Sequence, residues 1–180
     1  MNKEIKKKTV IEGKFEDIIE IEDHYYIISK KHRLCVLPFT ISVDGLLDKI
    51  GVIKDYNYLY EEYDYTLING YINEDDGTNL VTANRLLFEV IGNNVKSADD
   101  WMYLGSLFNN LTSDSLVDIY AVNISNLDIK VNEDAVEEQE KVKFKMMETY
   151  EVVQSSDSLL LSAYLRLFQM IYVNSLQKPY

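Results

Sequence analysis

Cysteine is almost missing from this sequence. Cys35 stands alone, so no internal disulfide can form, and without a CxxC pair or a His/Cys cluster there is nothing to hold zinc. A reducing cytoplasm is the default setting for such a chain. Bases are scarce too: 18 Lys and Arg face 30 Asp and Glu, a formal net charge of -12. A phosphate backbone would be repelled unless the bases gathered on one face, and the only dense cluster is Lys3, Lys6, Lys7 and Lys8, so nucleic acid is not expected as a partner. Long apolar runs are absent. No stretch approaches the roughly 18 consecutive apolar residues of a membrane span, and the basic N-terminus lacks the apolar centre of a signal peptide. Neither export nor a membrane partner is expected.

What is present suits a folded domain. The chain has 180 residues, 47% of them apolar and 27% charged, enough to bury one sizeable core and far from a disordered composition. The lysine run reads as a solvated terminus, which divides the chain into an N-terminal tail or arm, 1–14, and a single domain, 15–180.

Apolar patterning places the elements. From Phe15 to Ser29, isoleucines and tyrosines predict two short strands around a turn at Glu22, Asp23 and His24. Leu34 to Val43, a turn at Asp44 and Gly45, and a second run at Ile50, Val52 and Ile53 predict a central hairpin, in which Pro38 demands a bulge or an edge. Tyr56, Tyr58 and Tyr60 alternate as on one face of a strand; they are candidate interface anchors or a ladder packed on their own domain. Leu80, Ala83, Leu87 and Ile91 recur at helical spacing up to Gly92, a helix stop. Strands are expected at Trp101 to Leu107, Leu116 to Ile124 and Val142 to Met146. An acidic loop with Glu133, Asp134, Glu137, Glu138 and Glu140 precedes the last of them. A closing helix capped by Ser156 or Asp157 buries Leu160, Tyr164, Leu167, Phe168 and Ile171. This order predicts an α/β fold, a mixed sheet covered by helices. His24 and His32 belong to no motif and read as surface or hairpin residues.

The segment GYINEDDGTNLVTANRLLFEVIG, residues 70 to 92, resembles the Nudix box, G-x5-E-x7-R-E-U-x-E-E-x-G with U apolar. In a gap-free register Arg85 takes the arginine, Leu87 the apolar position, Glu89 the first glutamate of the pair and Gly92 the closing glycine. Gly70 falls on the first of the two glycines that commonly open the motif, and Glu74 on a frequent acidic position. Tyr71, Gly77, Leu86 and Val90 depart from the pattern. The order of elements over residues 15 to 172 is similar to that of the family, and the resemblance implies a Nudix-like α/β/α sandwich.

In the family, glutamates of the box helix bind divalent cations that bridge a substrate diphosphate, so the departures carry the functional reading. Positions 86, 89 and 90 share one helix face, which here presents Leu86, Glu89 and Val90, with no side-chain oxygen at two of the three. The expectation is therefore a domain without catalytic residues, metal or other cofactor. It would serve as a structural or assembly subunit whose partners are other protein subunits in a homo- or hetero-oligomer. Its contact surfaces would be the former cleft, at Leu86 and Val90, and the tyrosine row at Tyr56, Tyr58 and Tyr60. The Asn-, Ile-, Lys- and Tyr-rich composition also resembles products of AT-rich genomes such as those of Bacteroides-infecting, crAss-like tailed phages, which implies a virion ring or tail component made in the cytoplasm. The alternative is a divergent Mg- or Mn-dependent hydrolase of nucleoside diphosphate derivatives such as ADP-ribose. It would use Glu89 with Glu74 or with a loop acid such as Glu138 or Glu140. A sensor that binds a nucleotide without cleaving it is the third reading. Arg85 and Glu89, four apart, also suit a plain pair along the helix.

Overall fold

Short alternating runs rich in Ile, Val and Tyr favour strands, and the computed structural model, which describes residues 7–57, 61–108, 113–129 and 143–176, contains ten of them with three helices. Strands β1 (Lys8–Glu12), β2 (Glu16–Ile21) and β3 (His24–Ser29) form a small antiparallel sheet. Residues 8–12, counted with the tail in the sequence, are thus paired with β2. The β2–β3 turn is made by Glu22 and Asp23 at φ 49 and 65, and His24 already belongs to β3.

A second, seven-stranded sheet carries the body of the molecule. It contains β4 (Arg33–Ile41), β5 (Leu47–Asn57), β6 (Glu62–Thr66), β7 (Ile68–Tyr71), β8 (Trp101–Phe108), β9 (Leu116–Asn123) and β10 (Lys143–Glu148), in the order β10-β5-β4-β9-β8. The β4–β9 pair is parallel and the rest are antiparallel, so the sheet is mixed. On their facing sides β4 and β5 pair only near their shared turn; farther along, β7 lies against β4 and β6 against β5. Pro38 lies in the centre of the sheet rather than at an edge. On that side it falls between Val36, the last partner of β7, and Phe39, the first partner of β5, where the ladder is interrupted.

Helix α1 (Asn79–Ile91) covers one face, over Leu34, Val36, Ile68 and Val122. Helices α2 (Thr149–Val152) and α3 (Ser158–Leu176) cover the other, over Leu37, Phe39, Val52 and Ile119. The result is an α/β/α sandwich. Cys35, fully buried in the α3-side core, has its thiol pushed up to about 12 by burial and is chemically quiet. The small sheet leans on the body through a Phe15–Tyr71 ring stack and a bond from the Ser29 N–H to Asp114. Tyr58, Tyr60, Glu133, Asp134, Glu137, Glu138 and Glu140 lie outside the described residues. No helix among the described residues is long and apolar enough to cross a membrane.

Candidate functional site

Helix α1 starts where Thr78 accepts a bond from the Val81 N–H, and ends at Gly92, whose φ of 70 and N–H donated to the Phe88 carbonyl form a left-handed cap. Its inward stripe is Ala83, Leu87 and Ile91; Leu80, the fourth residue of the predicted spacing, is only half-buried. Leu86 lies on the same side. It is only 4% exposed, and its methyl groups fill the space over Gly70, where an added Cβ would come within 2.4 Å of Leu86 Cδ2. Leu86, expected on a contact surface, is therefore part of the domain's own core. Burying an apolar side chain inside its own domain stabilises the fold and leaves no surface to offer a partner. Val90 is half-buried and packs on the same core.

The loop before α1 is fastened by Arg85. Its Nε and Nη2 donate to the two oxygens of Asp76 at 3.0 and 2.8 Å, Nη2 also reaches the Tyr71 carbonyl, and Nη1 donates to Glu89 at 2.9 Å. The Arg85–Glu89 pair read from the spacing is thus formed, but the stronger, bidentate partner is Asp76. Asp76 ends a one-turn 3-10 helix, Glu74–Asp76, and also accepts from Thr82 Oγ1 and the Asn73 N–H. The Arg85 guanidinium holds its carboxyl well below the usual carboxylate range, and the pair raises the arginine in turn. A gap-free match sets Gly77 against the family's glutamate and cannot find Asp76, one residue earlier. The acidic run Glu74, Asp75 and Asp76 ahead of a capping Thr78 was the available signal.

A second polar centre sits at the start of α1. Asp118, an acid within the apolar strand β9, is 7% exposed and accepts four side-chain bonds: from His32 Nε2 at 3.0 Å, Asn79 at 2.9 Å, Tyr103 at 3.0 Å, and Ser106. Burial opposes its charge, but the bonds from Ser106, His32 and Tyr103 more than offset this and keep it ionised. Since Asp118 can only accept, His32 Nε2 carries the proton in that bond. His32 is exposed, as expected, and with Asn79, Tyr103 and Ser106 it also ties the entry to β4, α1 and β8 to β9. Burial and the Asp118 charge push the neighbouring Tyr120 hydroxyl up.

A carboxylate offers about four lone-pair sites. Asp118 has two donors on each oxygen and is saturated, whereas Asp76 takes three on Oδ2 and only Arg85 Nε on Oδ1, its charge held by the arginine. Glu74 is exposed on its turn, and Glu89, 53% exposed, has one oxygen committed to Arg85. Among the described residues no three His, Cys, Asp or Glu side chains converge to hold a metal ion. The divalent cation that a Nudix box would bind does not fit these residues, since Leu86 is buried and Val90 offers no oxygen. Tyr56 lies on β5 opposite Tyr63, ring edge to face at 5.0 Å, in a hairpin of its own domain.

No protein-family model matches the sequence, and no curated protein matches it. Solved structures do. An ADP compounds hydrolase superposes with a TM-score of 0.67 at 17% identity, over 94% of this chain and 93% of that one. The NUDIX domain of Shewanella oneidensis NrtR, complexed with ADP ribose, gives 0.55 at 16% identity over 83% and 90%. Shewanella oneidensis NrtR itself gives 0.57 at 19% identity over 83% of this chain and 65% of that one. At such identities it is architecture that is shared, and with the mixed sheet between α1 and α3 it establishes that this chain has a Nudix-like fold.

Proposed function

We propose that this protein is a non-catalytic Nudix-fold subunit that works through contacts with other protein chains, with residues 70–92 a degenerate box. One observation carries the reading: at the three positions where a working box presents glutamates, Leu86 is buried over Gly70, Val90 is packed on the core, and Glu89 is paired with Arg85. A hard cation needs convergent oxygens, and this face supplies at most one free carboxylate oxygen. The retained clamp of Arg85 on Asp76 fits a domain that keeps the architecture of the box while its chemistry is gone. A place in a larger assembly, such as the ring or tail of a virion, suits the composition.

A second reading is favoured by the likeness to an ADP compounds hydrolase over nearly the whole chain and by the retention of Arg85, Glu89 and Gly92. It is a divergent hydrolase using Glu89 and Glu74 with Mg²⁺ or Mn²⁺. Phosphate release from ADP-ribose and related diphosphates separates the two. The subunit reading expects no turnover with either metal; turnover that disappears in Glu89→Gln would replace it by the hydrolase. A chain that stays monomeric and is recovered with no partner from pull-downs or purified particles would also refute the subunit reading.

A further inference from the structure

Strand β8 is an edge of the seven-stranded sheet, and its residues, Trp101–Phe108, include no charge and no proline. Three of the eight are aromatic, and Tyr103 and Phe108 are exposed. An edge of this composition is the kind to which a strand of another chain adds, because main-chain groups on its outer side have no ladder to join. The opposite edge, β10, is protected by its own side chains, since it carries Lys143, Lys145 and Glu148. Strand β8 has no such side chain, and its cover comes from another element.

That element is α3. Its one charged residue, Arg166, is half-buried and donates from Nη1 to the carbonyls of Leu104 at 2.9 Å and Ser106 at 3.3 Å. In a chain with 30 acids, the acceptors of this guanidinium are two main-chain oxygens of an edge strand. Between them stands Gly105, at φ 97, where the register of β8 on β9 slips. A Cβ at Gly105 would come within 2.8 Å of Arg166 Nη1, so the glycine and the arginine are a matched pair. The slip breaks the flat ladder that a further strand needs, and the guanidinium takes oxygens that such a strand would bond. A strand laid over it would also have to bury a charge. We propose that Arg166 guards this edge: seated on the Leu104 and Ser106 carbonyls, it stops a strand of a second chain from extending the sheet beyond β8. The device is independent of whether the chain is a subunit or a hydrolase.

Arg166→Met tests it, because the aliphatic stem stays on α3 while the cover is removed. Sedimentation velocity over a concentration series compares it with wild type, at raised salt so that two bodies of net charge -12 are screened from each other. The variant should self-associate at a concentration about tenfold lower than wild type, the scale of one lost charged hydrogen bond, and the associated species should show the infrared amide band of strands paired between chains. Arg166→Lys, whose ammonium can still sit on a carbonyl, should fall between the two. Gln169→Met puts the same side chain at an exposed position of α3 and should behave as wild type. Phe108→Lys, a charge on β8 itself, should reverse the association when placed in Arg166→Met. Should Arg166→Met fail to fold, Arg166→Lys takes its place in each comparison. A folded Arg166 variant that associates no more than wild type, an equal association in Gln169→Met, or an association that survives Phe108→Lys would overturn the proposal.

Discussion

Helices α1 and α3 lie on opposite faces of one sheet, and both are apolar on more than the side that a single stripe requires. On α1 the surplus at Leu86 and Val90 is absorbed by the domain itself, because Gly70 on β7 leaves room for the Leu86 methyl groups, while Val81 and Phe88 stay exposed. On α3 the surplus, Leu165 and Phe168, stays in solvent, so Phe168 lies outside the buried stripe in which its spacing places it. An apolar residue at an unexpected helix position is therefore not by itself an interface; what decides is whether a strand with a missing side chain lies opposite. Each helix is also anchored in its own way. The loop before α1 is held by the Arg85–Asp76 clamp, while α3 relies on packing and on Asp157, which accepts from the Leu159 and Leu160 N–H groups.

The contrast between the two helices breaks most readily at the buried leucine. Leu86→Ala should cost about 3 kcal/mol in denaturant unfolding, as expected for emptying a buried leucine site. Leu165→Ala, measured in dilute monomer, should cost less than about 0.5 kcal/mol. Equal losses would dissolve the distinction between a covered and an open stripe.

The clamp comes next. Asp76→Asn should cost about 2 kcal/mol, the scale of hydrogen bonds to a charged partner. Because the folded-state pKa of Asp76 is depressed, its contribution is fully present above the reference value of 3.8 and is lost as pH falls from there toward the folded value. Unfolding midpoints compared at neutral and acidic pH should therefore show wild type converging on Asp76→Asn as the solution is acidified. A gap that holds constant would mean that the carboxylate charge is not what fastens the loop.

Gly70→Ala sharpens the comparison further. It should cost about 1–2 kcal/mol by overpacking against Leu86, and much less when introduced into Leu86→Ala, where the methyl groups it meets are gone. Additive losses in that cycle would argue against the contact. The smallest effect belongs to Glu89→Gln, about 0.3 kcal/mol, since it loosens only an exposed pair along the helix. A loss of a kcal/mol or more would give Glu89 a role beyond that pair.

Much of the architecture was legible from residue patterns. The hairpin turns at Glu22–Asp23 and Asp44–Gly45, the stop at Gly92 and the cap at Asp157 depend on local backbone chemistry, which residue type reports directly. Strand β1 was hidden in the lysine-rich start, because a fully exposed edge strand has no apolar face to reveal it. Strands β6 and β7 are short, and their pairing with separated parts of β5 and β4 is a non-local matter. Within the candidate site, Arg85 and Glu89 could be paired by spacing alone. Asp76 could not, since it stands one place from where the family pattern would seek an acid. Nor could the four donors of Asp118, which come from segments up to 86 residues away in the chain.

The sequence by itself determined the alternation of strands and helices, the excess of acids, the two ends of α1 and the apolar residues at positions 86 and 90 of that helix. These follow from local propensity and from which atoms each side chain carries. Only the tertiary structure decided that Leu86 is core, that Asp76 is clamped by Arg85 and Asp118 saturated by its donors, and that the outer stripe of α3 is left uncovered. Burial and hydrogen-bond saturation are properties of what lies across the gap, and the chain brings those partners together only when it folds.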